Sequence, residues 1–204
     1  RYTASMSTDQ HSVRQHILDT GKVILTGKGY SAVGLNEILS AAGVPKGSFY
    51  HYFKSKELFG EALLDDYVGA YLTELDALLA ADGTPASTRL MRYWDSWLTL
   101  SADGCAGSRC LVVKLSGEVA DMSAAMRDVL LRGTNQIVQR LAACIEEGVA
   151  DGSIAAGADP QHSALALYEM WLGAALLTKL RREPSALQGA LRATRTMLGM
   201  PAAH

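Results

Sequence analysis

The stretch that decides the fold is Ala42-Gly43-Val44-Pro45-Lys46-Gly47-Ser48-Phe49-Tyr50-His51-Tyr52-Phe53-Lys54-Ser55-Lys56. Gly43 suits the end of one short helix, and Pro45 suits the opening of the next, to about Phe53. Phe49 and Phe53 stand four apart, share a face and are expected to pack inward against the first helix. One short helix cannot bury every side, which leaves Tyr50, His51 and Tyr52 to offer ring donors or apolar edges outward. Lys46, Gly47 and Ser48 open the helix with small or basic groups, so its backbone can come close to a partner. Lys54 follows, Ser55 can cap a fourth helix, and Lys56 lies at that helix's start.

Outward from this stretch the period is helical. Val13, Ile17, Gly21, Ile24 and Leu25 step by three and four, and their helix is expected to stop at Gly27-Lys28-Gly29. A short helix over about Leu35 to Ala42 precedes Gly43. Phe59, Leu63, Tyr67, Tyr71, Leu75 and Leu78 stripe the fourth helix. Thr84-Pro85 reads as cap and first position of a helix to about Leu100. Asp103–Ser108 reads as a loop, followed by a short helix from Cys110 to about Val119. Met126, Leu130, Gly133, Ile137, Leu141 and Ile145 stripe residues 123–150. Asp159-Pro160 opens a helix to about Arg182, and Pro184 or Ser185 opens the last, to about Leu198. Strand-like alternation is absent, so the expected class is all-α, with about nine helices.

Two short helices joined by a glycine-bearing turn, behind a longer first helix, form a helix-turn-helix arrangement. Its third helix enters the major groove while the second crosses the backbone. Charge agrees. The 204 residues carry a formal net charge of −2, which alone argues against a polyanion partner. Residues 10–56 hold six basic residues (Arg14, Lys22, Lys28, Lys46, Lys54, Lys56) against Asp19 and Glu37, a balance of +4. The first nine residues are neutral, so residues 57–204 carry −6. A basic head on an acidic body is the asymmetry expected where one small module meets double-stranded DNA. The expected organisation is a helix-turn-helix DNA-binding domain over 9–56 and a larger helical domain over 57–204.

A composition of 49% apolar and 20% charged residues is that of a folded globular chain. The first thirty residues have no long apolar run, so no secretory leader is expected, and Met6 is a candidate natural start. The most apolar stretch, Ala164–Thr178, spans 15 residues and contains Glu169. A membrane span needs about 20 apolar residues, so none is expected. That helix is apolar on nearly all sides and needs cover on nearly all sides. A second copy is expected there, with the last helix (Leu187, Leu191, Thr194, Leu198) completing a four-helix interface about a two-fold axis. Gly173, Ala174 and Ala175 permit close approach.

Three cysteines are too few for a disulfide scaffold and suit a reducing, cytoplasmic setting. Cys144 lies on an apolar stripe and reads as structural. Cys110 falls in the first turn of a helix beside Arg109, with Lys114 one turn on, surroundings that favour a reactive thiolate. Cys105, five residues earlier, could serve as a resolving thiol. The plain alternative for Cys110 is a small buried hydrophobe. A different effector mode is a non-covalent hydrophobic ligand in a pocket lined by Tyr93, Trp94, Trp97, Met122, Met126 and Trp171, although such stripes are also ordinary core. No Cys or His pair has zinc-ligand spacing, so no metal and no cofactor are expected. A thiol-dependent enzyme on a helical bundle stays a remote alternative, because no Cys–His pairing and no phosphate-binding glycine motif accompany Cys110.

Pro45-Lys46-Gly47-Ser48-Phe49-Tyr50-His51-Tyr52-Phe53 with Lys54-Ser55-Lys56-Glu57-Leu58 resembles the signature of TetR-family transcriptional repressors, over residues 12–60. The resemblance implies a three-helix DNA-binding head, a helical effector-binding body and a homodimer on a palindromic operator. It also implies DNA contacts at Leu35 and Asn36, at Lys46, Gly47, Ser48, Tyr50, His51 and Tyr52, and at Lys56. Gly34-Leu35 departs from the family, which usually has a small hydroxyl residue capping the second helix. Cys110-Leu111-Val112-Val113-Lys114-Leu115-Ser116-Gly117-Glu118-Val119, Asp121-Met122-Ser123, Met126-Arg127 and Trp171-Leu172-Gly173-Ala174 resemble the NemR-type subgroup, which responds to electrophiles and oxidants through a cysteine. That likeness implies Cys110 as sensor and Lys179 as its partner lysine. Arg109 stands where the subgroup usually has a small residue, and Cys105 is an extra.

Overall fold

The computed structural model describes residues 3–102, 110–155, 157 and 159–200; for residues 3–11, 100–102 and 110 it describes the backbone alone. Among the described residues there are nine helices and no strand. They are α1 (Thr3–Lys28), α2 (Leu35–Ala42), α3 (Lys46–Tyr52), α4 (Lys56–Leu79), α5 (Ala86–Ala102), α6 (Cys110–Met122), α7 (Ala124–Ala150), α8 (Pro160–Arg181) and α9 (Ser185–Met197). The helix ends follow the expected local chemistry. Gly43 closes α2 in the left-handed region at φ 64°, where its N–H reaches back to the carbonyls of Leu39 and Ser40. The Ser55 hydroxyl accepts the Leu58 N–H at 3.1 Å, and the Asp159 carboxylate accepts that of His162 at 2.9 Å.

Thr84 is a correction. Its hydroxyl donates to the Asp82 carboxylate at 2.6 Å, and the cap of α5 comes from elsewhere. The first N–H groups of α5 are met instead by chain remote in sequence. Ala86 N–H donates to the Asp151 carboxylate (2.8 Å) and Ser87 N–H to the Ser153 hydroxyl (3.1 Å). A cap supplied from sixty-five residues away has no local signal.

The chain divides into two compact units. The first comprises residues 1–69 and 114–131, and so includes much of α6 and the start of α7 along with the three-helix head. Its core is Ile17, Leu25, Ile38, Phe49, Phe53, Phe59, Leu63, Leu115, Val119 and Met126, all buried. Phe49 sits at the centre, with ring centroids 5.3 Å from Phe53 and 5.5 Å from Phe59. Burial of one such ring stabilises the fold by about 1.5–3 kcal/mol.

The second unit comprises residues 70–113 and 132–204. Within it α8 pairs with α9, and α9 packs on α5. Its centre is aromatic. Trp94 and Trp171 stack with centroids 4.6 Å apart at 14°, and Trp97 meets Trp171 edge-on at 5.9 Å. Ile137, Leu141, Ile145, Leu167 and Leu187 complete the buried set. Among the described residues no helix is long and apolar enough to cross a membrane.

Candidate nucleic-acid interface

Helix α3 displays two chemically different sides. Phe49 is wholly buried and Phe53, just past its end, is 2% exposed, which anchors the helix. Tyr50 keeps 43% of its surface exposed, and Lys46, Gly47 and His51 are exposed as well. Ser48 and Tyr52 are half-buried. The result is a contiguous outward strip of one ammonium, one glycine, one phenol and one imidazole on a rigidly seated helix. That set can donate to phosphate oxygens and to base edges.

The rest of the basic charge is distributed by its partners. Arg14 lies over the Phe53 ring at 5.3 Å, Lys22 over Tyr67 at 5.6 Å and Lys46 over Tyr50 at 5.9 Å. Lys28 pairs with Glu37 at 2.5 Å on the surface, an interaction of about 0–1 kcal/mol. Lys54 is exposed. At the start of α2, Asn36 is exposed and Leu35 half-buried. Gly34 precedes them as an N-cap without a side-chain hydrogen bond, in keeping with the departure noted in the sequence.

Lys56 is tied down in a way the sequence did not suggest. Its ammonium donates to the Tyr30 carbonyl at 2.9 Å and lies 4.3 Å from the Tyr30 ring centroid, while the Tyr30 hydroxyl donates to the Lys56 carbonyl at 2.9 Å. Burial pulls the Lys56 pKa below its ordinary value, against the attraction of Glu118. The Tyr30 hydroxyl is pushed up to about 12 by burial and by the charge of Glu57. One donor of the ammonium is thus committed, and its remaining donors stay available to a phosphate.

The candidate sensor residues fare unevenly. Cys105 and Arg109 lie outside the described residues. Cys110 opens α6, and its side chain also lies outside them. The Lys114 ammonium is engaged elsewhere, donating to the carbonyls of Thr26 (2.7 Å) and Gly27 (2.5 Å) at the end of α1. Lys179 is exposed in the last turn of α8. Cys144 is buried, as expected, and burial pushes its thiol up to about 11.

Of the six candidate pocket residues, Tyr93, Trp94, Trp97 and Trp171 come together as the aromatic centre of the second unit, all buried. Trp94 Nε1 and Trp97 Nε1 are buried without a hydrogen-bond partner among the described residues. Met122 and Met126 belong to the first unit. Met126 is core, and Met122 is 53% exposed, its sulfur accepting the Ser31 hydroxyl at 3.3 Å. The sequence grouped both with the aromatic residues, whereas Met126 packs in the core of the first unit and Met122, at the end of α6, faces outward. Among the described residues no group of three or more His, Cys, Asp or Glu could hold a metal ion.

Glu118 was missed as a functional candidate. Its carboxylate accepts the backbone N–H and the hydroxyl of Ser31, each at 2.9 Å. The Ser31 N–H bond is the main reason its pKa falls below the ordinary carboxyl value, helped by the Ser31 hydroxyl and by Lys114. Lys114 and Glu118 at i and i+4 were the available signal.

Comparison with known proteins agrees with this geometry. Residues 17–63 match the family model described as bacterial regulatory proteins, tetR family. Residues 86–194 match the tetracyclin repressor-like C-terminal domain. The chain is 36% identical over 193 residues to the HTH-type transcriptional repressor NemR of Escherichia coli K12, covering 95% of this chain and 97% of that protein. It is also 36% identical over 188 residues to the transcriptional regulator AcuR of Cereibacter sphaeroides, covering 90% and 84%. A crystal structure of E. coli NemR in its reduced form superposes with a TM-score of 0.88 at 37% identity, covering 95% of this chain and all of the other.

Proposed function

The chain belongs to the TetR family of bacterial regulatory proteins, and on that premise we propose that it is a cytoplasmic transcriptional repressor. It binds a palindromic operator as a homodimer and leaves it when an effector acts on the body. The observation that carries this reading is the anchored, outward-facing strip of α3, embedded in a chain alike end to end to a named repressor. Residues 9–56 supply the DNA-reading surface, and residues 57–204 carry effector sensing and dimerisation. Contacts come from Leu35 and Asn36, from Lys46, Gly47, Ser48, Tyr50, His51 and Tyr52, and from Lys56. The two heads stand about 34–36 Å apart, one turn of DNA.

Dimerisation runs through α8 and α9. Leu165, Leu176, Leu177 and Leu180 of α8 and Met197 of α9 are exposed in one copy, Leu180 to 71%, an apolar surface that a second copy would cover.

In the sensing step, Cys110 is alkylated or oxidised, with Cys105 and Lys179 as its candidate neighbours, while the Lys114 ammonium is engaged at the end of α1. The protein moves to a state whose recognition helices no longer match successive major grooves. The support is the likeness to NemR together with Cys110 at a helix start, where the dipole favours a thiolate. A second reading is a non-covalent ligand in the aromatic centre of the body. What favours it is the pair of buried indole N–H groups of Trp94 and Trp97, which have no partner among the described residues, since buried donors normally find an acceptor.

Operator binding measured against salt tests the DNA claim. Log affinity should fall linearly with log salt concentration, and Lys46→Ala should reduce that slope by about 1. A flat dependence removes the phosphate contacts. Cys110→Ser should stay on DNA under N-ethylmaleimide, and release equal to that of the parent protein removes the thiol reading.

A further inference from the structure

Helix α6 grips the turn between α1 and α2. Lys114 and Glu118 are one helical turn apart on the same side. The Lys114 ammonium holds the last carbonyls of α1, at Thr26 and Gly27. Glu118 holds Ser31 by its N–H and its hydroxyl. Gly29, at φ 89°, approaches the Glu118 carboxylate so closely that a β-carbon there would strike Oε1. Between Gly29 and Ser31 stands Tyr30, which exchanges two 2.9 Å hydrogen bonds with Lys56 at the start of α4. Three residues beyond Ser31, α2 begins at a glycine cap with no side-chain bond of its own. The setting of both DNA-facing helix starts therefore depends on how this turn is held. Carboxylate-to-N–H bonds are among the stronger hydrogen bonds, and they weaken steeply with displacement. A shift of α6 by an ångström or so would break them.

Resting on the reading of this chain as an operator-binding regulator, we propose that Glu118, seconded by Lys114, is a positioning residue for operator binding. It clasps the Gly29–Ser31 turn and so holds Leu35, Asn36 and Lys56 in the arrangement that meets DNA. Neither residue touches the operator. Displacement of α6 opens the clasp, which links the state of this helix to the head's DNA-facing groups.

The test is a double-mutant cycle read by fluorescence anisotropy, on a duplex that the wild-type protein selects from a random pool. Glu118→Gln should weaken binding about tenfold, within the range of ordinary coupling energies. Lys56→Ala weakens it too. The double variant should bind more tightly than the product of the two single losses predicts, because part of the clasp's effect runs through Lys56. If the two losses multiply, or if Glu118→Gln binds as tightly as wild type, the proposal is overturned. Circular dichroism and thermal unfolding monitor the fold. Should Glu118→Gln not fold, Ser31→Ala, which removes one hydroxyl at an exposed position, carries the same cycle. A wild-type protein that selects no duplex overturns the operator reading and the clasp with it, whereas selection followed by multiplied losses overturns the clasp alone.

Discussion

The indole N–H of Trp171 donates to the hydroxyl of Thr194 at 2.9 Å, and that hydroxyl donates onward to the Ala190 carbonyl at 2.8 Å. Both residues are wholly buried, so this short relay locks α8 to α9 in a place water does not reach. It also satisfies one of the three tryptophan N–H groups in the aromatic centre. The other two have no partner among the described residues.

Thr194→Val keeps the shape of the side chain and deletes the acceptor. The Trp171 N–H is then stranded in an apolar surround, and a buried donor left unmade costs about 1–3 kcal/mol. Urea denaturation should show a loss of that size, with Thr194→Ser losing less. A valine variant as stable as the parent would mean that the indole finds another acceptor.

Glu118 gives the first unit a dependence on acidity. Its carboxyl lies below the ordinary value when folded, chiefly through the Ser31 N–H bond. A depressed carboxyl contributes stability that is fully present above the unfolded pKa and is lost as pH falls through the folded one. The gap in urea midpoint between wild type and Glu118→Gln should therefore be full at pH 6–7 and should narrow in acid, below about pH 4.3. A gap unchanged at pH 3 would contradict the assignment.

Gly60 sits where helix propensity and packing oppose each other. An alanine in mid-helix gains about 1 kcal/mol over glycine. A β-carbon at Gly60, however, would stand 2.6 Å from Met126 Sδ and 2.7 Å from Tyr30 Cε2. The methionine can bend away, but the tyrosine ring is pinned by its two bonds to Lys56. Overpacking of this kind costs about 1–3 kcal/mol, so Gly60→Ala should lower the melting temperature. On the same helix, a β-carbon at Gly69 meets nothing within 4 Å, and Gly69→Ala should raise it.

The Cys144 thiol, pushed up to about 11 by burial and donating to the Ala86 carbonyl at 3.5 Å, should be inert. At pH 8 N-ethylmaleimide should leave it unmodified in the native protein and label it in urea, as read by peptide mass mapping. Rapid native labelling would put Cys144 among the sensing candidates.

Residues 42–56 alone carried the helix-turn-helix reading, because turn chemistry at Gly43 and Pro45 and the i, i+4 pair Phe49 and Phe53 are local properties. The stripes of α1, α4 and α7 and the Asp159 cap were legible for the same reason. Net charge was legible once it was divided along the chain, the head against the body. What only the tertiary structure decided lies in pairs far apart in sequence. Asp151 and Ser153 cap α5 in place of Thr84, and Lys114 caps α1 instead of standing free. Met122 faces outward, Tyr30 holds Lys56, and Glu118 holds a turn 87 residues away. Periodicity names the face of a helix that will be buried. Which partner meets that face, and which polar group finds which charge, is set when remote segments pack and most buried donors find an acceptor.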